Sequence, residues 1–145
     1  MGKKISQTGT ACKKRIMVID NDRDFSQDME KLLYRENYNV AVVDAAEVAL
    51  LLLNSVSPDL IIIDSSGNIV EDFEAVEKIR SRSKVPVIMI VWAGIMPDIE
   101  EAVEKGIDDL ITKPFDTRVL RARIRAILRR SGVQYAGERQ SSISF

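Results

Sequence analysis

Asp20, Asp64 and Lys113 lie far apart in the chain, yet each stands at the end of a short apolar run. "RIMVID" closes on Asp20, "DLIIID" closes on Asp64, and "DDLIT" leads into Lys113. Asn21, Asp22 and Asp24 follow the first of these ends directly. Carboxylates gathered at one spot repel one another, so a positive partner is required. If the runs are strands that end at one rim, the acids can surround a divalent cation, and Lys113 can offset part of the remaining charge.

Other chemistries are excluded by what the chain lacks. It contains no histidine, which removes histidine general bases, Ser-His-Asp triads and histidine metal sites. Cys12 is the single cysteine, so neither an intrachain disulfide nor a cysteine-based zinc site can form. That usage suits a reducing compartment, and a cytoplasmic setting is expected. No apolar run reaches membrane-spanning length, and the N-terminus lacks the apolar stretch of a secretory signal, so no membrane partner is expected. "MGKKIS" formally matches a myristoylation signal, but it is read as part of a disordered basic leader.

The net charge of −1 hides a strong asymmetry. Residues 16–117 carry nine basic groups against 21 acidic ones, whereas residues 118–130 hold six arginines and no acid. Such an acidic body is a poor nucleic-acid surface and attracts cations.

Strands and helices alternate in the pattern. Apolar runs at 15–20, 38–43, 59–64, 86–91 and 108–112 predict five strands. The third and fourth are nearly continuous in apolar residues, the signature of strands covered on both faces of a parallel sheet. Between them, Phe25, Met29, Leu32 and Leu33 recur at helical spacing, as do Phe73, Val76 and Ile79, and later Leu120, Ile124, Ile127 and Leu128. Asp22 or Asp24 is expected to cap the first helix. Asp44 is expected to cap the second, with Glu47 three residues on. Pro97 suits the first turn of a fourth helix, and Gly106 its stop. The expected fold is a doubly wound (βα)5 sandwich, five parallel strands flanked by five helices. Its domain would span residues 14–130, between a basic tail (1–13) and a linker or tail (131–145). In such folds ligands bind at the carboxyl ends of the strands, which is where the acids and Lys113 fall.

With those motifs in place, the sequence resembles the receiver domain of two-component response regulators, the CheY-like superfamily. "IMVIDND" resembles its first-strand acidic motif, "PDLIIID" the strand ending in the phospho-acceptor, "VPVIMIV" the fourth strand, and "GIDDLITKPFD" the fifth with its Lys-Pro pair. The resemblance implies that Asp64 accepts a phosphoryl group from a histidine kinase or histidine phosphotransfer protein. It implies Mg²⁺ held by Asp20, Asn21, Asp64 and the backbone carbonyl of Ser66, with Lys113 contacting a phosphoryl oxygen. The module would be a signalling domain and not an enzyme.

Several positions depart from that pattern. Asn21 replaces a second aspartate and removes a charge, so Mg²⁺ binding is expected to be weak. Val91 stands where a hydroxyl side chain follows the phosphoryl group, and Leu110 where its aromatic partner sits. Trp92 takes a position normally held by a small residue. Asn68 and Asp72 replace a proline and a glycine after Asp64, so that loop is expected to be shaped differently. One reading keeps phosphorylation with a rebuilt readout. Its alternative is a degenerate receiver serving as a phosphorylation-independent interaction module. A haloacid-dehalogenase-like phosphatase is a remote third, since Asp108 and Asp109 precede Lys113 in the wrong order.

The last helix carries Arg118, Arg121, Arg125 and Arg129 along one face. Matched to receivers of winged-helix regulators, it implies a symmetric homodimer through the fourth helix, fifth strand and fifth helix. Asp109 with Arg123 and Glu104 with Arg125 would supply charge pairs, and Ile99 with Val119 an apolar replacement for a third. No helix-turn-helix pattern is present, so direct DNA contact by this chain is not expected.

Overall fold

All five apolar runs form strands, each within a residue of its expected position: β1 (Arg15–Ile19), β2 (Asn39–Val43), β3 (Leu60–Asp64), β4 (Val87–Trp92) and β5 (Asp109–Lys113). The computed structural model describes residues 13–133, so the readings placed on residues 1–12 and 134–145 lie outside the described residues. The strands make one parallel sheet in the order β2-β1-β3-β4-β5. Helices α1 (Arg23–Arg35), α2 (Ala46–Val56), α3 (Ile69–Arg80), α4 (Ile99–Lys105) and α5 (Thr117–Val133) make the crossovers. This is the doubly wound (βα)5 sandwich.

Side chains of a strand alternate between faces, and both faces here are covered, which is why the runs are continuously apolar. Met17, Ile61, Ile63 and Met89 point to one layer, where Val76 and Ile79 of α3 and Leu53 of α2 pack on them. Ile16, Val18, Ile62 and Ile90 point to the other, against Met29 and Leu33 of α1 and Leu120 and Ile124 of α5. Each helix returns the chain to the same edge, so every strand delivers its last residue to one rim. α5 runs back from that rim towards the edge where β1 begins.

Helix ends bear out some expectations and correct others. Asp22 caps α1, its Oδ1 accepting from the main-chain N–H of Asp24 at 3.1 Å and of Phe25 at 3.3 Å. Asp44 does not cap α2: the cap position is Ala45, which offers no side-chain acceptor. Pro97 likewise lies before the helix it was expected to open, because Asp98 occupies the cap of α4 and accepts from Glu100 N at 3.0 Å. In both cases the chain takes a further extended residue before turning. Gly106 does end α4, in the left-handed region at φ 104°.

Gly106 also marks a close approach. A Cβ there would lie 2.7 Å from Arg80 Cγ. Arg80 reaches across from α3 to donate to Gly106 O at 2.7 Å, to Val85 O, and to Asp108 Oδ2 at 2.6 Å. Asp108 Oδ2 in turn accepts from Val87 N at 2.7 Å. One guanidinium thus ties α3, the entry to β4 and the entry to β5 together.

Candidate functional site

The rim at the strand ends gathers Asp20, Asp64 and Lys113, as the spacing of the runs implied. Asp20 follows β1 and is held by its own N–H, which donates to Val43 O at 2.9 Å. It is 4% exposed. Its Oδ1 accepts from Asp22 N at 2.9 Å, while its Oδ2 is buried with no donor. Burial first, and then a hydrogen bond shared with Asp64, push the Asp20 carboxyl from the ordinary 3.8 up to about 7. The backbone donor at Asp22 works in the other direction.

Asp64 ends β3, and Lys113 ends β5, two strands away in the sheet. The Lys113 ammonium lies 2.7 Å from Asp64 Oδ1, both side chains almost wholly out of solvent. This is an ion pair by distance, but no donor is aligned on Oδ1. Lys113 has company that periodicity alone did not reveal. Its Nζ sits 3.9 Å from the ring centroid of Phe25 and 5.0 Å from that of Trp92, within cation–π range of both. Phe25 is itself braced edge-on by Phe115, with centroids 6.3 Å apart. Trp92 can reach because it lies opposite Lys113 in the sheet register. The Lys113–Pro114 peptide bond is cis.

Asn21 and Ser66 join Asp20 and Asp64 on the wall of a cleft of about 390 Å³. The donor set suits a magnesium ion. It offers two carboxylates, an amide oxygen and room for water, and the orphaned Asp20 Oδ2 is a buried acceptor awaiting a positive partner. Among the described residues no three acidic side chains stand close enough to hold an ion by themselves.

Asp72, noted in the sequence only as a departure, is 6% exposed and lines the same cleft. Its Oδ2 accepts from Ser65 Oγ at 2.6 Å, and its Oδ1 from Ser66 N at 3.3 Å and Ser66 Oγ at 3.2 Å. Ser65 Oγ accepts from Gly67 N and Ser66 Oγ from Asn68 N, so the loop after β3 is laced by side chains. Asn68 then caps α3 through Glu71 N at 3.2 Å.

The remaining positions lie in β4, in β5 and on the α4–β5–α5 side. Val91 is wholly buried in β4, and Leu110 is half-buried, packed against the α2–α3 layer. Trp92 is 56% exposed. On the α4–β5–α5 side Ile99 and Val119 are exposed. Arg123 binds Asp109 of its own chain at 2.9 Å. Arg125 turns to Glu36 at 3.7 Å, so within the chain its partner is not Glu104.

Comparison with known proteins agrees with this geometry. The family model described as "Response regulator receiver domain" matches residues 16–125. A transcriptional regulatory protein CpxR of Klebsiella pneumoniae is 38% identical over 117 residues, covering 81% of this chain and 50% of that protein. The transcriptional regulatory protein AfsQ1 of Streptomyces coelicolor is 35% identical over 129 residues, covering 89% and 55%. Among solved structures, the N-terminal domain of the nisin resistance regulator NsrR superposes with a TM-score of 0.71 at 27% identity, covering 79% of this chain and 97% of that one. A two-component response regulator from Clostridium difficile has the same fold, with a TM-score of 0.74 at 24% identity, covering 83% and 100%.

The chain belongs to the response regulator receiver family, whose members are phospho-acceptor modules of two-component signalling and not enzymes. It spans about half the length of the curated relatives it matches. No helix among the described residues is long and apolar enough to cross a membrane.

Proposed function

We propose that Asp64 is the phospho-acceptor of this receiver, taking its phosphoryl group from a histidine kinase or histidine phosphotransfer protein. An Asp64 carboxylate oxygen forms the new O–P bond as the donor's imidazole N–P bond breaks. Lys113 already stands against this carboxylate, so its ammonium can follow charge onto a phosphoryl oxygen. Asp20, Asn21, Asp64 and the Ser66 carbonyl would hold Mg²⁺. When bound, the ion supplies positive charge to the incoming phosphoryl oxygens.

The observation that carries this reading is the buried triad. Lys113 Nζ lies 2.7 Å from Asp64 Oδ1, beside an Asp20 oxygen that has no donor of its own. The test is exposure of the protein to Mg²⁺ and a small-molecule phosphodonor, followed by intact mass. One added phosphoryl group is expected on the wild type and none on Asp64→Asn. An unmodified wild type, under conditions that modify an ordinary receiver, overturns the proposal.

A second reading, a phosphorylation-independent interaction module, draws on Val91 and Leu110. Neither side chain can donate or accept a hydrogen bond, so the usual hydroxyl-to-aromatic relay has no parts here. In either reading the α4–β5–α5 face, with Ile99, Glu104, Asp109, Val119, Arg123 and Arg125, is proposed as the homodimer surface.

A further inference from the structure

The family pattern places two acidic positions after the first strand, and this chain has Asn21 at one of them. A negative charge has therefore left the cation site. Another stands on the same cleft wall: the buried carboxylate of Asp72. Its three donors, Ser65 Oγ, Ser66 N and Ser66 Oγ, are all neutral. No lysine or arginine among the described residues comes within salt-bridge distance of it.

A loop staple does not need this charge. The amide of asparagine or the hydroxyl of serine accepts from the same groups, and burying a net charge costs far more than burying either. A carboxylate at 6% exposure whose hydrogen-bond partners are all neutral gains from positive charge in the cleft, and Lys78, the cation of this chain that lines it, does not come within salt-bridge distance. The same wall presents Asp20 and Asp64, where a divalent cation is proposed. The three acids do not converge closely enough to ligate one ion together. Asp72 already engages Ser65 and Ser66 with both its oxygens, but Mg²⁺ keeps several waters, and those waters are donors.

Resting on the cation site proposed above, we infer that Asp72 is an outer-sphere carboxylate of that site, taking over the charge missing at Asn21. Ser66 links the two, since its N–H and hydroxyl both donate to Asp72 while its carbonyl is the proposed ligand.

The test is calorimetric titration of the whole chain with Mg²⁺, at a temperature where each variant is folded by circular dichroism. Asp72→Asn keeps shape and acceptor but removes charge, and is expected to weaken binding about three- to tenfold. Adding Asn21→Asp to that variant is expected to bring the affinity back to the wild-type value. An Asp72→Asn affinity within about twofold of wild type overturns the inference and leaves the acceptor reading standing. Weakening that Asn21→Asp does not restore also overturns it, because it would mark Asp72 as a loop staple. A wild type that binds no Mg²⁺ overturns the cation site itself, and the role of Asp72 with it.

Discussion

Asp20 has two neighbours that make its charge costly: a buried setting and the carboxylate of Asp64. With a folded pKa of about 7 against the ordinary 3.8, it holds a proton in the metal-free protein that the unfolded chain has released. The stabilisation this gives is full below about pH 4 and is lost as pH rises through about 7. Thermal unfolding in chelator is therefore expected to show melting temperature falling across that window. Asp20→Asn should flatten this slope, because the amide still accepts from Asp22 N and can donate towards Asp64. At pH 8 the variant is expected to be more stable by about 1–2 kcal/mol, less than the full linkage because a buried amide has its own desolvation cost. A wild-type curve that is flat, or that rises with pH, would show Asp20 to be free of that burden. The same charges that strain the metal-free protein are what a cation would relieve.

At the scale of elements, loops and caps decide where those side chains point. Asp22→Ala removes the acceptor of two α1 N–H groups and is expected to cost about 1 kcal/mol in urea unfolding. Gly106→Ala should cost more, about 2 kcal/mol, since it combines an unfavourable φ with a Cβ pressed onto Arg80. The sheet was legible in the sequence because strands covered on both sides must be apolar throughout, and the runs at 59–64 and 86–91 could be little else. The convergence of Asp20, Asp64 and Lys113 was legible for the same reason: parallel strands all finish at one edge. Asp44 and Pro97 were misread because a cap depends on which residue first turns, and one extra extended residue moves it. Asp72 and Phe25 resisted for a different reason. Asp72 acts on Ser65 and Ser66 across a loop with no period, and Phe25 sits at a helical core spacing that conceals its ring beneath an ammonium.

At the scale of the whole molecule, Trp92, Ile95, Met96, Ile99 and Val103 stand open along β4's exit and α4 among the described residues, with Val119 of α5 beside Met96. An exposed apolar face of this kind suits association, and it overlaps the homodimer surface proposed above. Sedimentation at about 100 μM is expected to show a dimer without phosphorylation, and Ile99→Glu to shift it towards monomer by at least ~1 kcal/mol of association free energy. A clean monomer for the wild type would remove the dimer. The sheet's parallel order also fixes where the described segment begins and ends relative to the cleft. The described chain enters at Lys13, just before β1, and leaves along α5, which runs back to that same edge. Both exits thus lie at the foot of the sheet and the acidic cleft at its head. The height of the strands therefore separates both ends of the described segment from Asp64, the proposed acceptor.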